Sequence, residues 1–230
     1  MIFSSKSIKP QLAELLNQYP DLSVTSETVN LITLSGKIHV FRSYNGYTLN
    51  NDYWIEIGIP LNTETLPYVT DIRNQIDNTY QHFYTETKQL CLATEAQIRL
   101  NFIDGFSLVR WMQDFVELYF FSYEYYQRYG EFPFGERSHG TLGILETYQD
   151  LFATCDIAKA YLILQFITSS SYRGHLRCPC GSNKKMRNCH GEKMLFAYQN
   201  KTVMDIIQKD FIQIDAFVRK EIDEYQKKTK

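Results

Sequence analysis

The chain lacks the features that mark membrane proteins, secreted proteins and proteins that bind nucleic acid over their whole surface. No run of about 18 apolar residues occurs, so we expect no membrane span. The first ten residues do not combine a basic stretch with an apolar one, so we expect no signal peptide. The formal net charge is only -2, which argues against a nucleic-acid footprint over the whole protein. Internal repeats and low-complexity segments are also missing.

Cysteine is scarce and unevenly distributed. Of five cysteines in 230 residues, three lie within residues 178–190. Two thiols one residue apart are followed, after eight residues, by an adjacent thiol and imidazole. A disulfide across Cys-x-Cys is strained, and nothing in the chain indicates an oxidising compartment. The alternative to metal binding is therefore a strained bridge or loose thiols, and we expect a cytoplasmic protein.

Three sulfurs and one nitrogen match the tetrahedral preference of zinc. We predict a structural zinc site, closed by four protein ligands: Cys178, Cys180, Cys189 and His190. The segment resembles the SEC-C motif, a short zinc knuckle found in the bacterial secretion ATPase and appended to many other bacterial proteins. In that motif the usual second glycine stands where this chain has Asn183, a residue that also tolerates a left-handed backbone.

The neighbourhood of the predicted knuckle is basic. Six basic residues face only one acidic residue, Glu192, within residues 173–193. We predict that Lys184, Lys185 and Arg187 bind a partner, either an acidic protein or, less favoured, RNA. The resemblance favours a protein partner over RNA, because the knuckle of the secretion ATPase docks a protein. A solvated surface is the alternative.

Hydrophobic periodicity predicts an N-terminal helix and four antiparallel strands. Apolar residues recur at helical spacing over residues 8–19, and Pro20 ends this helix. Alternation and β-branched composition predict strands over residues 28–34, 37–44, 52–59 and 67–69. Ser35-Gly36 and Asn45-Gly46 are typical of tight turns between them. The first 72 residues are therefore predicted to form a helix and a four-strand antiparallel meander.

The rest of the chain is predicted to be largely helical. Residues 106–129 are apolar on most faces, which indicates a long buried helix ending at Gly130. Further helices are predicted over residues 142–153, 156–168 and 192–199. From residue 203 onward, apolar steps of three and four predict an amphipathic helix with a capping box at Thr202 and Asp205. Its apolar stripe should pack on the body; a partner or a second copy is the alternative.

Two segments resemble parts of the ubiquitin-conjugating enzyme fold, in its divergent prokaryotic branch. Residues 59–69, with Ile-Pro-Leu and Leu-Pro-Tyr-Val, resemble the passage from the third strand to the fourth. Gln-Leu-Cys-Leu around Cys91 resembles the segment that carries the active cysteine. His82 lies nine residues earlier, near the family's His-Pro-Asn tripeptide, which reads His82-Phe83-Tyr84 here and lacks both proline and asparagine.

The resemblance covers about residues 5–155 and implies an α+β domain. We predict this UBC-like domain over residues 1–168, followed by the zinc knuckle and C-terminal helix over residues 169–230. It further implies that the Cys91 thiolate carries a ubiquitin-like protein as a thioester for transfer to an amine. His82 would orient the loop or assist proton transfer. The family's asparagine is implicated in oxyanion stabilisation, so its loss favours the alternatives.

Two alternatives to catalysis stay open. A cysteine between two leucines is most often a small apolar core residue, which would make Cys91 inert. The protein would then be a non-enzymatic adaptor that recruits its partner through the knuckle. A polar loop over residues 135–140 could do acid-base work through Glu136 and His139, but we favour a structural loop. Cys155 has no supporting context and is expected in the core.

Overall fold

The computed structural model describes residues 1–228, and their α+β class is confirmed. The chain divides into two compact units. Met1–Ala93 with Asp104–Glu136 forms the sheet unit, and Thr94–Ile103 with Arg137–Lys230 forms the helical unit. Residues 137–168 therefore lie in the same unit as the residues that follow them, and the predicted division into domains 1–168 and 169–230 stays a prediction.

The elements follow one another in an order that places the strands first. They are α1 (Ser5–Gln18), β1 (Leu22–Glu27), β2 (Leu31–Tyr44), β3 (Tyr47–Pro60), β4 (Tyr68–Asp71), β5 (Phe83–Tyr84), β6 (Gln89–Leu90), α2 (Glu95–Asn101), α3 (Leu108–Trp111), a π-helical turn (Met112–Val116), α4 (Glu117–Tyr129), α5 (Gly140–Phe152), α6 (Ile157–Ser169), a 3-10 turn (Met186–Asn188), α7 (Gly191–Gln199) and α8 (Lys201–Lys228).

The strands form one antiparallel sheet in the order β1-β2-β3-β4-β6-β5. Its centre is the long hairpin of β2 and β3, which pair from Leu31 opposite Pro60 to Tyr44 opposite Tyr47. The predicted Asn45-Gly46 turn closes this hairpin, with φ angles of 46° and 78°. Alternate residues of both strands are buried, which gives the sheet one core face: Ile32, Leu34, Ile38, Val40, Tyr53, Ile55, Ile57 and Ile59.

The sheet has six strands where the sequence predicts four, and the predicted Ser35-Gly36 turn is wrong. β2 runs through both residues. A Cβ atom at Gly36 would lie 2.0 Å from the carbonyl oxygen of Asp21, so this glycine permits a close backbone approach. The preceding strand β1 was not predicted, because only Leu22 of its six residues is buried and no apolar alternation marks it.

The helix predicted over residues 106–129 is interrupted by the π-helical turn. α4 packs against β2 and β3, and the Phe120 ring stacks on Tyr53 at 3.9 Å. Arg42 of β2 donates to Glu117 at 3.2 Å and to the backbone carbonyl of Gln113 in the π-helical turn. Gly130 ends α4 with a left-handed φ of 71°, as predicted.

The helical unit has a core of its own. Buried side chains from α5, α6, α7, α8 and the knuckle contact one another there: Leu145, Tyr148, Phe152, Ala160, Ile163, Leu164, Ile167, Cys178, Cys180, Met186, Met194, Ala197, Val203, Ile207 and Ile214. The segment α2 also contacts α5 and α8. The segment that carries Cys178, Cys180 and Met186 is therefore part of this core.

The first half of α8 packs its apolar stripe as predicted. Val203, Ile207 and Ile214 are fully buried, whereas Tyr225 near the end of the helix is 70% exposed. The predicted capping box is wrong: the helix begins at Lys201, and the side chain of Asn200 accepts a hydrogen bond from Val203 N at 3.1 Å.

Among residues 1–228, no single helix has both the length and the apolar character needed to cross a membrane. The pair α5 and α6 meets the test only when the two are joined, and it is bent by 81°.

Candidate functional sites

Four potential metal ligands converge in the helical unit, between α6 and α7. The thiols of Cys178, Cys180 and Cys189 and a ring nitrogen of His190 all lie within 4.8 Å of one another. His190 Nδ1 is 3.4 Å from the sulfur of Cys178 and 3.3 Å from that of Cys189. We call these four residues the Cys3His cluster. All four predicted ligands are thus brought together, and they could hold a metal ion.

The spacing within the Cys3His cluster is compatible with zinc. Tetrahedral bonds of about 2.3 Å to sulfur and about 2.05 Å to nitrogen separate two sulfurs by about 3.8 Å, and sulfur from nitrogen by about 3.6 Å. The sulfurs of Cys180 and Cys189 are 3.6 Å apart. A disulfide needs about 2.05 Å, so this separation fits a shared ion and not a covalent bridge.

Local backbone hydrogen bonds shape the loop that carries the first two thiols. Cys178 N donates to the carbonyl of Lys184 at 2.9 Å, and Gly181 N donates to the carbonyl of Cys178 at 3.3 Å. Gly181 and Asn183 are left-handed, with φ angles of 79° and 61°, as their residue types allow. The loop therefore folds back on itself, and Cys178 and Cys180 are each only 4% exposed.

The second ligand pair is held at the start of α7. Cys189 follows the 3-10 turn, and its amide donates to the carbonyl of the fully buried Met186 at 3.0 Å. His190 is the last residue before α7. A Cβ atom at Gly191 would lie 2.5 Å from the Met186 carbonyl oxygen. Only glycine therefore fits directly after the histidine.

Burial and neighbouring groups shift the protonation of the ligands. Desolvation raises the pKa of Cys178 to about 11. Burial also acts to raise the pKa of Cys180, but hydrogen bonds with Ser182, Cys178 and Cys189 together outweigh it and the pKa is lowered. Desolvation, together with the positive charge of Lys159, lowers the pKa of His190. A metal ion binds thiolates and neutral imidazole, so metal binding here would release protons.

The surface around the Cys3His cluster carries the predicted positive charges. The following side chains are exposed: Arg173, Arg177, Lys184, Lys185, Arg187 and Lys193. Arg177 and Lys185 face each other in an antiparallel bridge, and Arg177 also donates to the side chain of Asn183. These cations project into solvent and supply no metal ligand. They form a basic surface on the helical unit.

A different thiol lies in the sheet unit, directly after β6. β5 and β6 form a small hairpin in which Phe83 pairs with Leu90, and the amide of Cys91 donates to the carbonyl of His82 at 2.9 Å. Successive side chains of a strand point to opposite faces. Because Phe83 and Leu90 are buried, His82, Tyr84 and Cys91 share the other face of the hairpin.

The thiol of Cys91 has two polar neighbours in the sheet unit. The hydroxyl of Tyr84 donates to its Sγ atom at 3.5 Å, and a ring nitrogen of His82 lies within 4.8 Å of it. Cys91 is partly exposed, unlike a cysteine sealed in a core. The sequence predicts that Cys91 and His82 act together. Tyr84 stands out in it only because this residue departs from a family motif. No periodicity in the sequence could have identified its contact with Cys91, because β5 and β6 have two residues each.

Aromatic side chains hold His82 in place. Its ring packs edge-on against Tyr80 and Phe132, with centroids 5.6 and 5.3 Å away. The hydroxyl of Tyr119 donates to its backbone carbonyl at 3.0 Å. The hairpin face that carries Cys91 is therefore fixed from behind by packing within the sheet unit.

Two other sequence expectations have different outcomes. In the loop over residues 135–140, Glu136 accepts a hydrogen bond from Gln81 at 2.6 Å, and His139 is the residue before α5. The role of this loop stays a prediction. The expectation that Cys155 lies in the core is wrong: it is exposed, in the short connection between α5 and α6.

No protein-family model matches the chain, and comparison with curated proteins and with solved structures gives no match. The resemblances to the SEC-C motif and to conjugating enzymes therefore stay predictions.

Proposed function

We propose that the protein is a zinc-binding acyl carrier of ubiquitin-conjugating type. The sheet unit holds the C-terminal acyl group of a ubiquitin-like protein as a thioester on Cys91 and passes it to an amine. The supporting observation is the setting of this partly exposed thiol, with a hydroxyl 3.5 Å from its sulfur and an imidazole nitrogen within 4.8 Å. An inert core cysteine would have apolar neighbours only.

The proposed reaction consists of two acyl transfers. The Cys91 thiolate attacks the carbonyl carbon of an activated ubiquitin-like protein, which is itself a thioester of another thiol. A new carbon–sulfur bond forms, the old one breaks, and the departing thiolate takes up a proton. A primary amine then attacks the Cys91 thioester. A carbon–nitrogen bond forms, the bond to Cys91 breaks, and the amine loses a proton.

His82 is proposed to assist these proton movements. A general base acts through a direct hydrogen bond or through one water. The His82 ring nitrogen lies within 4.8 Å of the sulfur, a range that one bridging water spans. Packing of its ring against Tyr80 and Phe132 limits its rotation, which supports a fixed position beside the thiol.

The test is thioester formation with a set of ubiquitin-like proteins, each activated as a C-terminal thioester of a small thiol. We expect a one-to-one adduct that dithiothreitol cleaves and that Cys91→Ser abolishes. Cys155→Ser is the matched control, because it removes the other exposed or partly exposed thiol outside the Cys3His cluster. Formation of the adduct on Cys155, or on neither cysteine with every member of the set, would contradict the proposal.

We further propose that the Cys3His cluster binds one structural zinc ion, in a knuckle of SEC-C type. Three thiolates and one imidazole suit zinc and leave no open position for a reactant. The bound ion would cross-link the loop of Cys178 to the start of α7. Its role is therefore to stabilise the helical unit.

A non-enzymatic adaptor is the second candidate, and the exposed basic surface favours it. Lys184, Lys185 and Arg187 would attract an acidic protein. The test is capture of a polyglutamate-rich peptide, compared with the variant that changes all three residues to Glu. We expect binding that survives Cys91→Ser, is lost in the triple variant and weakens with salt. Preferential capture of a single-stranded RNA oligonucleotide would point to RNA instead.

A further inference from the structure

Tyr84 has an unusual position for an exposed tyrosine. Its side chain is 55% exposed, yet its hydroxyl lies 3.5 Å from the sulfur of Cys91 and donates a hydrogen bond to it. The phenol therefore reaches the sulfur that the proposed acyl transfer uses.

We infer that Tyr84 is a catalytic residue whose hydroxyl stabilises the thiolate of Cys91 by donating a hydrogen bond to it. The inference rests on the proposed function, because it assigns a further residue to the same thiol. It does not depend on which ubiquitin-like protein is carried.

The hairpin holds the two side chains together. Tyr84 ends β5, and its backbone carbonyl accepts a hydrogen bond from Lys88 N at 2.8 Å. Lys88 has a left-handed φ of 60°, which turns the chain back into β6. Cys91 is fixed on the other strand by its amide bond to the carbonyl of His82. Tyr84 and Cys91 therefore face each other diagonally across one face of the hairpin, within reach of a long side chain.

The hydrogen bond favours the ionised form of Cys91, for a chemical reason. A thiolate accepts a hydrogen bond more strongly than a neutral thiol does, so a donor at this distance favours the ionised form. The hydrogen bond with Cys91 is the largest cause that raises the pKa of Tyr84 to about 12, with burial second. The phenol therefore keeps its proton at neutral pH and serves as the donor.

The test measures the rate at which iodoacetamide alkylates Cys91, with no acyl donor present. The protein is zinc-loaded and carries Cys155→Ser, and mass spectrometry of the peptide that contains Cys91 follows the reaction. We expect Tyr84→Phe to slow alkylation about threefold at neutral pH and to move the rate profile to higher pH. In alkali, where both proteins carry the thiolate, the variant should react at least as fast as the parent, because a thiolate without this donor is the stronger nucleophile. Tyr129→Phe, at an exposed tyrosine of α4, is the matched control and should react like the parent.

The inference is overturned if Tyr84→Phe alkylates at the parental rate with an unchanged pH profile while its thermal unfolding matches the parent. Because no acyl donor takes part, the two proposals fail separately. Slower alkylation of Tyr84→Phe with no acyl adduct on the parent protein would support the role of Tyr84 and contradict the acyl carrier. An acyl adduct on Cys91 with equal alkylation rates would support the acyl carrier and contradict the role of Tyr84.

Discussion

The hydroxyl of Tyr148 donates a 2.7 Å hydrogen bond to the carboxylate of Asp210, which lies 62 residues further along the chain. The bond joins α5 to α8 inside the core of the helical unit. Tyr148 is fully buried and Asp210 is 9% exposed, so each polar group has little access to water. Buried polar groups are costly when unpaired, which makes this bond a point where small changes have measurable effects.

Tyr148→Phe should lower the free energy of unfolding by about 1–3 kcal/mol, because it leaves the buried carboxylate of Asp210 without this donor. The measurement is equilibrium denaturation of the full chain. Tyr129→Phe removes a hydroxyl from an exposed tyrosine and should change stability by less than about 0.5 kcal/mol. Equal effects of the two substitutions would show that the bond contributes nothing net.

Asp210→Asn should change how stability depends on pH. Desolvation raises the pKa of Asp210 above 3.8, with Glu95 adding to the shift, while Tyr148, Lys209 and Arg99 act against it. The folded state therefore binds the proton more tightly than the unfolded state. This contribution is fully present below about pH 3.8 and is lost as pH rises through the folded pKa.

We therefore expect the parent protein to lose stability relative to Asp210→Asn as pH rises from about 4 toward neutrality. Denaturation of both proteins over this range measures the difference. A difference that does not change with pH, or that changes in the opposite direction, would contradict the raised pKa.

Cys178→Ser should remove bound zinc, because one of four ligands of the Cys3His cluster is lost. We expect about one zinc per chain in the parent and little in the variant, with lower thermal stability. Elemental analysis of untagged protein measures the content. Cys155→Ser is the control, since its sulfur is exposed and belongs to no cluster in the described residues. Equal zinc content in both variants would exclude the site.

Gly191→Ala should weaken zinc binding without removing a ligand. Its Cβ atom would meet the Met186 carbonyl oxygen at 2.5 Å, so the start of α7 and His190 must shift. We expect at least a tenfold loss of affinity, of the order seen when support around metal ligands is removed. Competition with a chromophoric chelator gives the value. Lys193→Ala, at an exposed position of the same helix, should bind zinc like the parent.

Gly36→Ala should destabilise the sheet unit by more than about 2 kcal/mol. Its φ of 155° disfavours a side chain, and an added Cβ atom would lie only 2.0 Å from Asp21 O. Because that oxygen belongs to the backbone, it cannot move away as the end of a flexible side chain could. Ser35→Ala, the neighbouring position in β2, is the control. Denaturation curves that coincide for the two variants would mean that β1 can separate from β2 at little cost.

The two Gly-containing dipeptides of the β2–β3 region show what a sequence can and cannot predict. Asn45-Gly46 was predicted correctly, because a two-residue hairpin turn of type I′ needs positive φ at both positions and few residue pairs supply it. Ser35-Gly36 carries a similar local signal, but glycine is required there because the backbone of Asp21, directly before the neighbouring strand β1, comes too close for a Cβ atom. Such a requirement is set by tertiary contact and is invisible in a window of neighbours.

The two candidate sites differ in the same way. The Cys3His cluster could be predicted because ligand type and spacing are local and specific. Strands β5 and β6 have two residues each, too few for periodicity, so the contact of Tyr84 with Cys91 was not foreseen. The assignment of Thr94–Ile103 to the helical unit depends on packing against α5 and α8, which no local pattern encodes.

The early position of α2 has a consequence for biosynthesis. The ribosome makes Thr94–Ile103 before α3 and α4 of the sheet unit and long before α8, yet its helix α2 contacts α5 and α8 in the helical unit. During translation the apolar residues of this segment stay without their final packing partners until α5 and α8 have been made. A fragment cut after Glu136 would deprive the later helices of α2, so separate expression of residues 137–230 should yield an incomplete, aggregation-prone product.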